Sequence, residues 1–290
     1  MRSLLCILLL LSTSALTAAE PEPKPALNAP IYRGEMPTTL INESSGIVRS
    51  RRHPEKSIFW THNDSGDSAR IFAITGEGDL VREVKVPNAK NYDWEEISMD
   101  DKGRIVVCDI GDNFKKRDTI TLYRFSEPDA LNENEPIRET QASHYRYPKG
   151  DGPYDAEALV IAGDNAYLFT KDVTKTRVYR LPLPVFVKDG EILDAEFFCE
   201  TNTFSVATAA SLTEDHMHLA LISYLSIMVL DLPEPLEKMP DGGKKLFDAP
   251  RRVRIALLGQ TEGVAWDKND LLLTTEGGAV YRVKDVLPKP

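Results

Sequence analysis

The sequence is poor in cysteine and histidine, and it lacks the short motifs of the common enzyme classes. Its 290 residues include 3 cysteines and 5 histidines, and no C-x-x-C, H-E-x-x-H, G-x-S-x-G, P-loop or dinucleotide-binding pattern occurs in it. Those motifs mark redox or zinc sites, zinc proteases, serine hydrolases and nucleotide-binding proteins. Their absence leaves no familiar nucleophile or cofactor to assign, so any reaction has to be argued from other residues.

Basic residues are in the minority. Lys and Arg total 35 against 45 Asp and Glu, which gives a formal net charge of −10. Nucleic acids and anionic membrane surfaces attract basic patches, so we expect neither as a partner. Cations, neutral small molecules and other exported proteins are the partner classes that this charge allows, and we expect a monomer.

The sequence has one long apolar run, and it lies near the N-terminus. Leu4 to Leu11 follow Met1-Arg2 and precede the small residues Thr17-Ala18-Ala19, as in a secretory signal. The run is too short to anchor the chain in a bilayer. We therefore predict a secreted or periplasmic protein with a signal peptide at 1–19, a flexible proline-rich leader at 20–30 and one domain at 31–290.

Cleavage of that signal would leave two cysteines, Cys108 and Cys199. An oxidising compartment would permit a disulfide between them. The predicted strands, however, place Cys108 on an inner strand of one repeat and Cys199 on the outer strand of the next. This arrangement argues against a bond.

A short pattern recurs five times: a polar or acidic residue, a brief apolar run, a turn and further strand-like segments. The repeats open at Ser45, Glu95, Glu157, Thr208 and Glu262, so their spacings are 50, 62, 51 and 54 residues. These spacings are near the period of a four-stranded propeller blade. The sequence thus predicts an all-β fold, a single propeller with five blades; six is the alternative, with a sixth blade hidden in the long second repeat.

The fifth repeat lacks a fourth strand. Strand-like segments do occur before the first repeat, at Pro30-Ile31-Tyr32 and Thr39-Leu40-Ile41. An N-terminal strand that completed the last blade would close the ring and remove two open sheet edges. We therefore predict closure of this kind.

The start of each first strand and the end of each second strand should surround one mouth of the central channel. From the openings this mouth receives Ser45, Glu95, Glu157, Thr208 and Glu262. From the second-strand ends it receives His62, Asn63, Asp64, Asp109, Asp112, Asn113, Lys171, Asp172, Tyr224 and Glu276. Carboxylates that converge in this way repel one another unless a cation or a shared proton intervenes.

A hard cation such as Ca²⁺ would satisfy these acids, with Glu95, Glu157 and Glu262 as predicted metal ligands. The alternative is structural: each acid caps backbone amides of a neighbouring loop, and Lys171 balances part of the charge. A bound ligand would contact the other mouth residues, for which we name Asn63, Asp64, Trp94, Asn113, Lys171 and Tyr224.

Aromatic and histidine residues leave further alternatives open. Trp60, Trp94, Tyr154 and Tyr224 are candidate walls for a flat ligand, although both tryptophans are equally suited to packing between blades. His62 and Asp109 are candidate proton acceptors, and His62 is also readily explained as a turn residue. His216 and His218 have the spacing of a metal pair, but the predicted turn places them on the opposite face.

The motifs Ser45-Gly46-Ile47, Asp93-Trp94-Glu95-Glu96-Ile97 and Thr261-Glu262-Gly263-Val264 resemble those of a family of secreted bacterial propellers. More remotely, their order is similar to that in SdiA-regulated, NHL and SMP-30-like propellers. That resemblance implies Ca²⁺ at the channel mouth in some members, together with hydrolysis of lactones or phosphoesters. It implies positions for Glu95, Glu157 and Glu262 and offers no nucleophile.

Two functions from different classes follow from the sequence. One is an exported module that binds a ligand or partner protein through the acidic mouth, with or without calcium. The other is a metal-dependent hydrolase of lactones, aryl esters or phosphoesters, in which a cation activates water at the same mouth.

Overall fold

A computed structural model of the protein describes residues 26–188, 190–239 and 246–287. The predicted signal peptide at 1–19 lies outside the described residues. The described chain is almost entirely β-strand, apart from a short 3-10 helix at Leu236–Lys238. Its strands form five sheets, each built on four antiparallel strands, so the predicted five-bladed propeller is confirmed.

The first three blades run outward from the channel in chain order. Blade 1 consists of β2 (Ser44–Arg49), β3 (Ile58–Asn63), β4 (Arg70–Thr75) and β5 (Leu80–Lys85). Blade 2 consists of β6 (Trp94–Met99), β7 (Arg104–Asp109), β8 (Ile120–Ser126) and β9 (Gln141–Arg146). Blade 3 consists of β10 (Ala156–Ala162), β11 (Asn165–Thr170), β12 (Thr176–Pro182) and β14 (Glu196–Thr201).

The last two blades complete the ring. Blade 4 consists of β15 (Ala209–Leu212), β16 (His218–Ser223), β17 (Ser226–Asp231) and β18 (Arg251–Ile255). Blade 5 takes β19 (Thr261–Asp267), β20 (Asp270–Thr275) and β21 (Ala279–Val283) from the C-terminal part, and β1 (Ile31–Glu35) from the N-terminal part. Because β1 pairs antiparallel with β21, the predicted N-terminal closure is confirmed.

One strand was not predicted. β13 (Ile192–Asp194) leaves the chain of blade 3 and pairs in parallel with β9, so the sheet of blade 2 has a fifth strand. It has only three residues and its side chains are exposed or half-buried. A segment this short carries no readable alternation of apolar and polar residues.

The hydrophobic core lies between neighbouring blades. Trp60 and Trp94 are fully buried in one cluster shared by blades 1 and 2. Each indole N–H has a partner: Trp60 donates to Oε1 of Glu127 at 3.0 Å, and Trp94 donates to the Lys90 carbonyl at 2.8 Å. Both tryptophans therefore pack between blades, the second of the two roles that the sequence left open.

Both described cysteines are free thiols. Cys108 belongs to the cluster that joins blades 2 and 3, and Cys199 belongs to the cluster that joins blades 3 and 4. The strand assignment that argued against a disulfide is thus reproduced in the structure.

The propeller packs against part of the segment that we predicted as leader. Leu27 is buried in the cluster between blades 4 and 5, and its carbonyl accepts a hydrogen bond from Arg254 at 2.8 Å. The chain is therefore held against the propeller before β1 begins. No helix among the described residues has the length and apolar character needed to cross a membrane.

Candidate metal-binding site at the channel mouth

A β-bulge recurs at the start of the innermost strand in three blades. The pairing register shifts between Trp94 and Glu96 in β6, between Ala156 and Ala158 in β10, and between Thr261 and Gly263 in β19. The residues inside these bulges are Glu95, Glu157 and Glu262. A bulge re-aims the side chain of its extra residue, which explains why three glutamates converge on one mouth.

Blades 1 and 4 have no acid at the equivalent position. In blade 1 the irregular stretch between Ser44 and Ile47 contains Ser45, whose hydroxyl donates to Oε2 of Glu95 at 3.1 Å. In blade 4 Thr208 precedes β15, and its hydroxyl donates to the Thr261 carbonyl at 2.7 Å. These two hydroxyls join neighbouring blades without adding charge to the mouth.

The tightest group of carboxyls in the described structure is formed by Asp64, Asp93 and Glu95. One carboxylate oxygen from each residue lies within 4.8 Å of the others. Asp64 follows β3, and Asp93 and Glu95 flank the first residue of β6. A Cβ added at Gly111 would lie too close to the carboxyl oxygens of Glu95 and Asp93, so glycine leaves the room that these side chains occupy. Three oxygen ligands around a small space fit a hard cation.

Burial and mutual repulsion both disfavour the charged forms of these acids. Burial, followed by the nearby carboxyls of Glu157 and Asp64, raises the pKa of Glu95 well above its usual range. Burial and the Asp64 carboxyl raise the pKa of Asp93 to about 6. A cation bound at this place would reverse the effect, because it favours the deprotonated ligands.

The other side of the mouth carries its own compensating groups. Lys171 Nζ forms an ion pair with Oε1 of Glu157 and lies 5.2 Å from the centre of the Tyr224 ring. The Tyr224 hydroxyl donates to Oε1 of Glu262 at 3.0 Å. Burial alone would lower the pKa of Lys171, but Glu157 more than offsets this, so the pKa of Lys171 is raised. Glu157 and Glu262 thus have partners that the Asp64 group lacks.

One oxygen on that side lacks a partner. Oε2 of Glu157 is buried and accepts no hydrogen bond from any described residue. A buried carboxylate oxygen left without a donor is costly, so it marks a place where a cation or a ligand donor would be stabilising.

Several residues predicted to touch a ligand serve the fold instead. Trp94 is fully buried and presents no surface to the mouth. Asn63 is also buried: its amide donates to the Leu40 carbonyl and to Oδ2 of Asp67, both at 2.8 Å. Asn113, in contrast, is exposed, and Lys171 and Tyr224 are partly exposed. Of the six predicted ligand contacts, these three and Asp64 remain accessible.

The two candidate proton acceptors are not free to act. His62 is fully buried, lies edge-on to Trp94 and donates from Nδ1 to its neighbour's carbonyl, Asn63 O, at 2.9 Å. Burial lowers the pKa of His62 to about 4. Asp109 is also buried and forms an ion pair with Arg117 at 2.6 Å. Neither group reaches the open part of the mouth.

The histidines of blade 4 are already bound by carboxylates. His216 contacts Oε2 of Glu237 at 2.8 Å and Oδ1 of Asp101 at 3.0 Å. His218 contacts Oδ1 of Asp231 at 2.7 Å. The two rings therefore have separate partners and do not form a joint zinc site.

Sequence reasoning missed two acids, Asp93 and Glu96. Asp93 stands two residues before Glu95, so an acid at that spacing was the available signal. Glu96 is fully buried: Oε1 accepts from the Ile97 N–H and Oε2 from the Ala210 N–H, both at 3.0 Å. A Cβ at Gly46 would lie 2.8 Å from Oε1 of Glu96, so blades 1, 2 and 4 all meet at this carboxyl. No sequence pattern distinguishes it from Glu95.

Comparisons with known proteins identify the fold alone. No protein-family profile and no curated protein sequence matches the chain. Among solved structures, it is similar to the gluconolactonase XC5397 from Xanthomonas campestris, with 14% identity, a TM-score of 0.44, and coverage of 91% of this chain and 98% of that one. A chain of the nidogen/laminin complex gives 12% identity and a TM-score of 0.46, with 86% and 83% of the two chains covered.

A third similar structure is the PQQ-bound aldose sugar dehydrogenase from Streptomyces coelicolor. It has 13% identity and a TM-score of 0.42, with 87% of this chain and 83% of that chain covered. The three proteins differ in function, and at these identities the likeness transfers none of their activities to this chain.

Proposed function

We propose that this protein is an exported binding propeller that holds a calcium ion between Asp64, Asp93 and Glu95 and binds a ligand or partner protein at the same mouth. One observation carries the proposal: three carboxylate oxygens lie within 4.8 Å of one another, and Gly111 leaves them room. Export rests on the N-terminal sequence, and extracellular calcium is abundant enough to fill sites of modest affinity.

Calcium is the cation that the donor set favours. All three donors are carboxylate oxygens, and none is a thiolate or an imidazole that would select zinc or copper. Calcium takes about six to eight oxygen ligands, so three carboxylates leave positions for water and for an incoming donor. The open positions are where an oxygen-bearing ligand, or a side chain of a partner protein, would bind.

A metal-dependent hydrolase is the second candidate, and one pair of contacts favours it. Lys171 and Tyr224 place an ammonium group and a hydroxyl beside Glu157 and Glu262, opposite the proposed cation. Hydrogen-bond donors of this kind stabilise developing oxyanions in acyl and phosphoryl transfer. The proton acceptor would have to be a mouth carboxyl, because His62 and Asp109 are buried.

Elemental analysis of the purified, exported protein, paired with thermal melts in calcium and in EDTA, tests the first proposal. We expect nearly one calcium per chain and a melt that falls in chelator. Absence of calcium together with an unchanged melt would refute the metal site and turn the search to partners that need no cation.

The hydrolase candidate has a separate test. Calcium-loaded protein is assayed on lactones, aryl esters and phosphoesters, with Glu157→Gln as the paired variant. Turnover that the variant loses would support catalysis at this mouth. No turnover by the intact, metal-loaded protein would exclude the hydrolase candidate for these substrates and leave the binding function standing.

A further inference from the structure

A second cavity lies at the other end of the channel. It has a volume of about 400 Å³, and its lining comes from the ends of the inner strands that lie away from the acidic mouth. β2, for example, begins at Ser44 beside the mouth and ends at Arg49 beside this cavity. The volume falls within the range of about 300–1,000 Å³ that is usual for small-molecule sites.

The cavity is apolar at depth. Ile47, Ile97 and Ile161 reach it from blades 1, 2 and 3, and Trp266 reaches it from blade 5. Each of these side chains is less than 10% exposed, so their remaining surface faces the cavity. Blade 4 adds Leu212, which is half-buried. An apolar body would therefore be held on all sides.

The innermost strands also bring backbone groups to this space. The channel edge of such a strand has no neighbouring strand, so its N–H and C=O groups need other partners. Deeper in the channel Glu96 supplies one partner, since its carboxyl accepts the Ala210 N–H. Glu96 is fully buried between this cavity and the acidic mouth, so the two ends of the channel are separate chemical environments.

The rim of the cavity offers positive charge. Lys268 is exposed in the turn between β19 and β20, and no carboxylate of the described residues lies within ion-pair distance of it. Arg51 donates to the Asp100 carbonyl at 2.8 Å, and its Nε lies 3.5 Å from Glu214. Glu214 is 79% exposed, and an exposed pair of this kind contributes little, so a ligand carboxylate would displace it at small cost.

The other charged rim groups are already satisfied. Arg49 donates to Oδ1 of Asp267 at 2.8 Å and to the Pro54 carbonyl at 2.7 Å. Oδ1 of Asp215 accepts from the Thr213 hydroxyl at 2.5 Å and from the Met217 N–H at 3.0 Å. The charges left for an incoming molecule are those of Arg51 and Lys268.

We propose that this cavity binds a small amphipathic carboxylate, with its apolar body among the isoleucines and Trp266 and its head group at Arg51 and Lys268. The site is independent of the calcium proposal, because it uses none of the mouth residues. Its ligand would be a medium-chain or aromatic carboxylic acid, since the volume excludes a long lipid.

Three probes with one chain length and different head groups test the proposal: octanoate, octanol and octylamine. Each is titrated into the full protein by calorimetry, with thermal melts in parallel. We expect saturable binding of octanoate with one site per chain, weaker binding of octanol and the weakest binding of octylamine. Loss of the charge contact accounts for about a fivefold difference between the acid and the alcohol.

Variants locate the site. Lys268→Glu should weaken octanoate about fivefold or more, whereas Lys102→Glu, the same charge change on the same face outside the cavity lining, should leave it unchanged. Ser98→Phe fills the cavity from a half-buried position and should abolish binding of all three probes while the melt of the free protein persists. Equal binding of the amine and the acid, no saturable binding, or binding that survives Ser98→Phe would overturn the proposal.

Discussion

Replacing Asp93 by asparagine tests whether the mouth carboxylates repel one another when no cation is bound. At 4.8 Å, and with an effective dielectric constant of about 20, two unit charges repel by about 3.5 kcal/mol. The raised pKa of Glu95 keeps that carboxyl largely neutral, so the repulsion that counts is between Asp93 and Asp64. Both of these side chains are partly exposed, and solvent screening reduces the gain from Asp93→Asn to about 2 kcal/mol.

Calcium should reverse the order of the two proteins. In EDTA we expect Asp93→Asn to melt about 4–8 °C above the wild type, at about 2–4 °C per kcal/mol for a chain of this size. In calcium at about 100 times its Kd, the wild type gains about 2.7 kcal/mol. The variant has lost a charged ligand and gains far less, so the wild type then melts higher. Calorimetric melts of both proteins in the two buffers measure the crossover.

Asp118→Asn is the matched control, because Asp118 is an exposed acid on a loop of the same face. It should leave both melts and their calcium dependence unchanged. A variant Asp93→Asn that melts below the wild type in EDTA, and still responds fully to calcium, would refute both the repulsion and the ligand assignment.

Three further substitutions probe the mouth and the channel. Gly111→Ala should remove the calcium response while the propeller still folds, because the new Cβ displaces the carboxyls of Glu95 and Asp93; melts with and without calcium check this, and a retained response would contradict the cradle. Glu96→Ala should lower the free energy of unfolding by about 3–6 kcal/mol, since it leaves the Ile97 and Ala210 N–H groups unpaired and opens a cavity; urea denaturation measures it, and a loss under about 1 kcal/mol would show that the carboxyl does not join the blades. Lys171→Met should cost about 2–4 kcal/mol by leaving Glu157 buried and unpaired, and adding Glu157→Gln should recover most of it; a double variant as unstable as the sum of the two would exclude the ion pair as the cause.

The fold was predictable because each blade repeats one burial problem. The openings from Ser45 to Glu262 return at nearly constant spacing, and the fifth repeat visibly lacks a strand that the N-terminus supplies. Such features are periodic, and a period can be read along one dimension. β13 was missed because a three-residue strand has no period, and its place beside β9 depends on the path of a loop in space.

The site was predictable in part. The position of Glu95, Glu157 and Glu262 at the start of a first strand follows from the repeat, and the structure places all three in bulges. Asp93 and Glu96 flank that position and were missed, because a bulge breaks the two-residue alternation that tells inward from outward. The same loss of register explains why His62 and Trp94 looked available but are buried.

The distribution of partners at the mouth decides between the structural and the metal-binding interpretations of its acids. Glu157 has Lys171, Glu262 has Tyr224, and Asp112 caps the Lys116 and Arg117 N–H groups at 2.9 and 2.8 Å. For these residues the structural interpretation is sufficient.

It is not sufficient for Asp64, Asp93 and Glu95. Among the described residues no lysine or arginine forms an ion pair with any of them, and Glu95 has only the Ser45 hydroxyl as a side-chain donor. A fold that merely tolerated acids at this mouth could place serine or threonine here, as it does at the equivalent positions of blades 1 and 4. Three acids held together against their own repulsion therefore favour a cation as the missing partner.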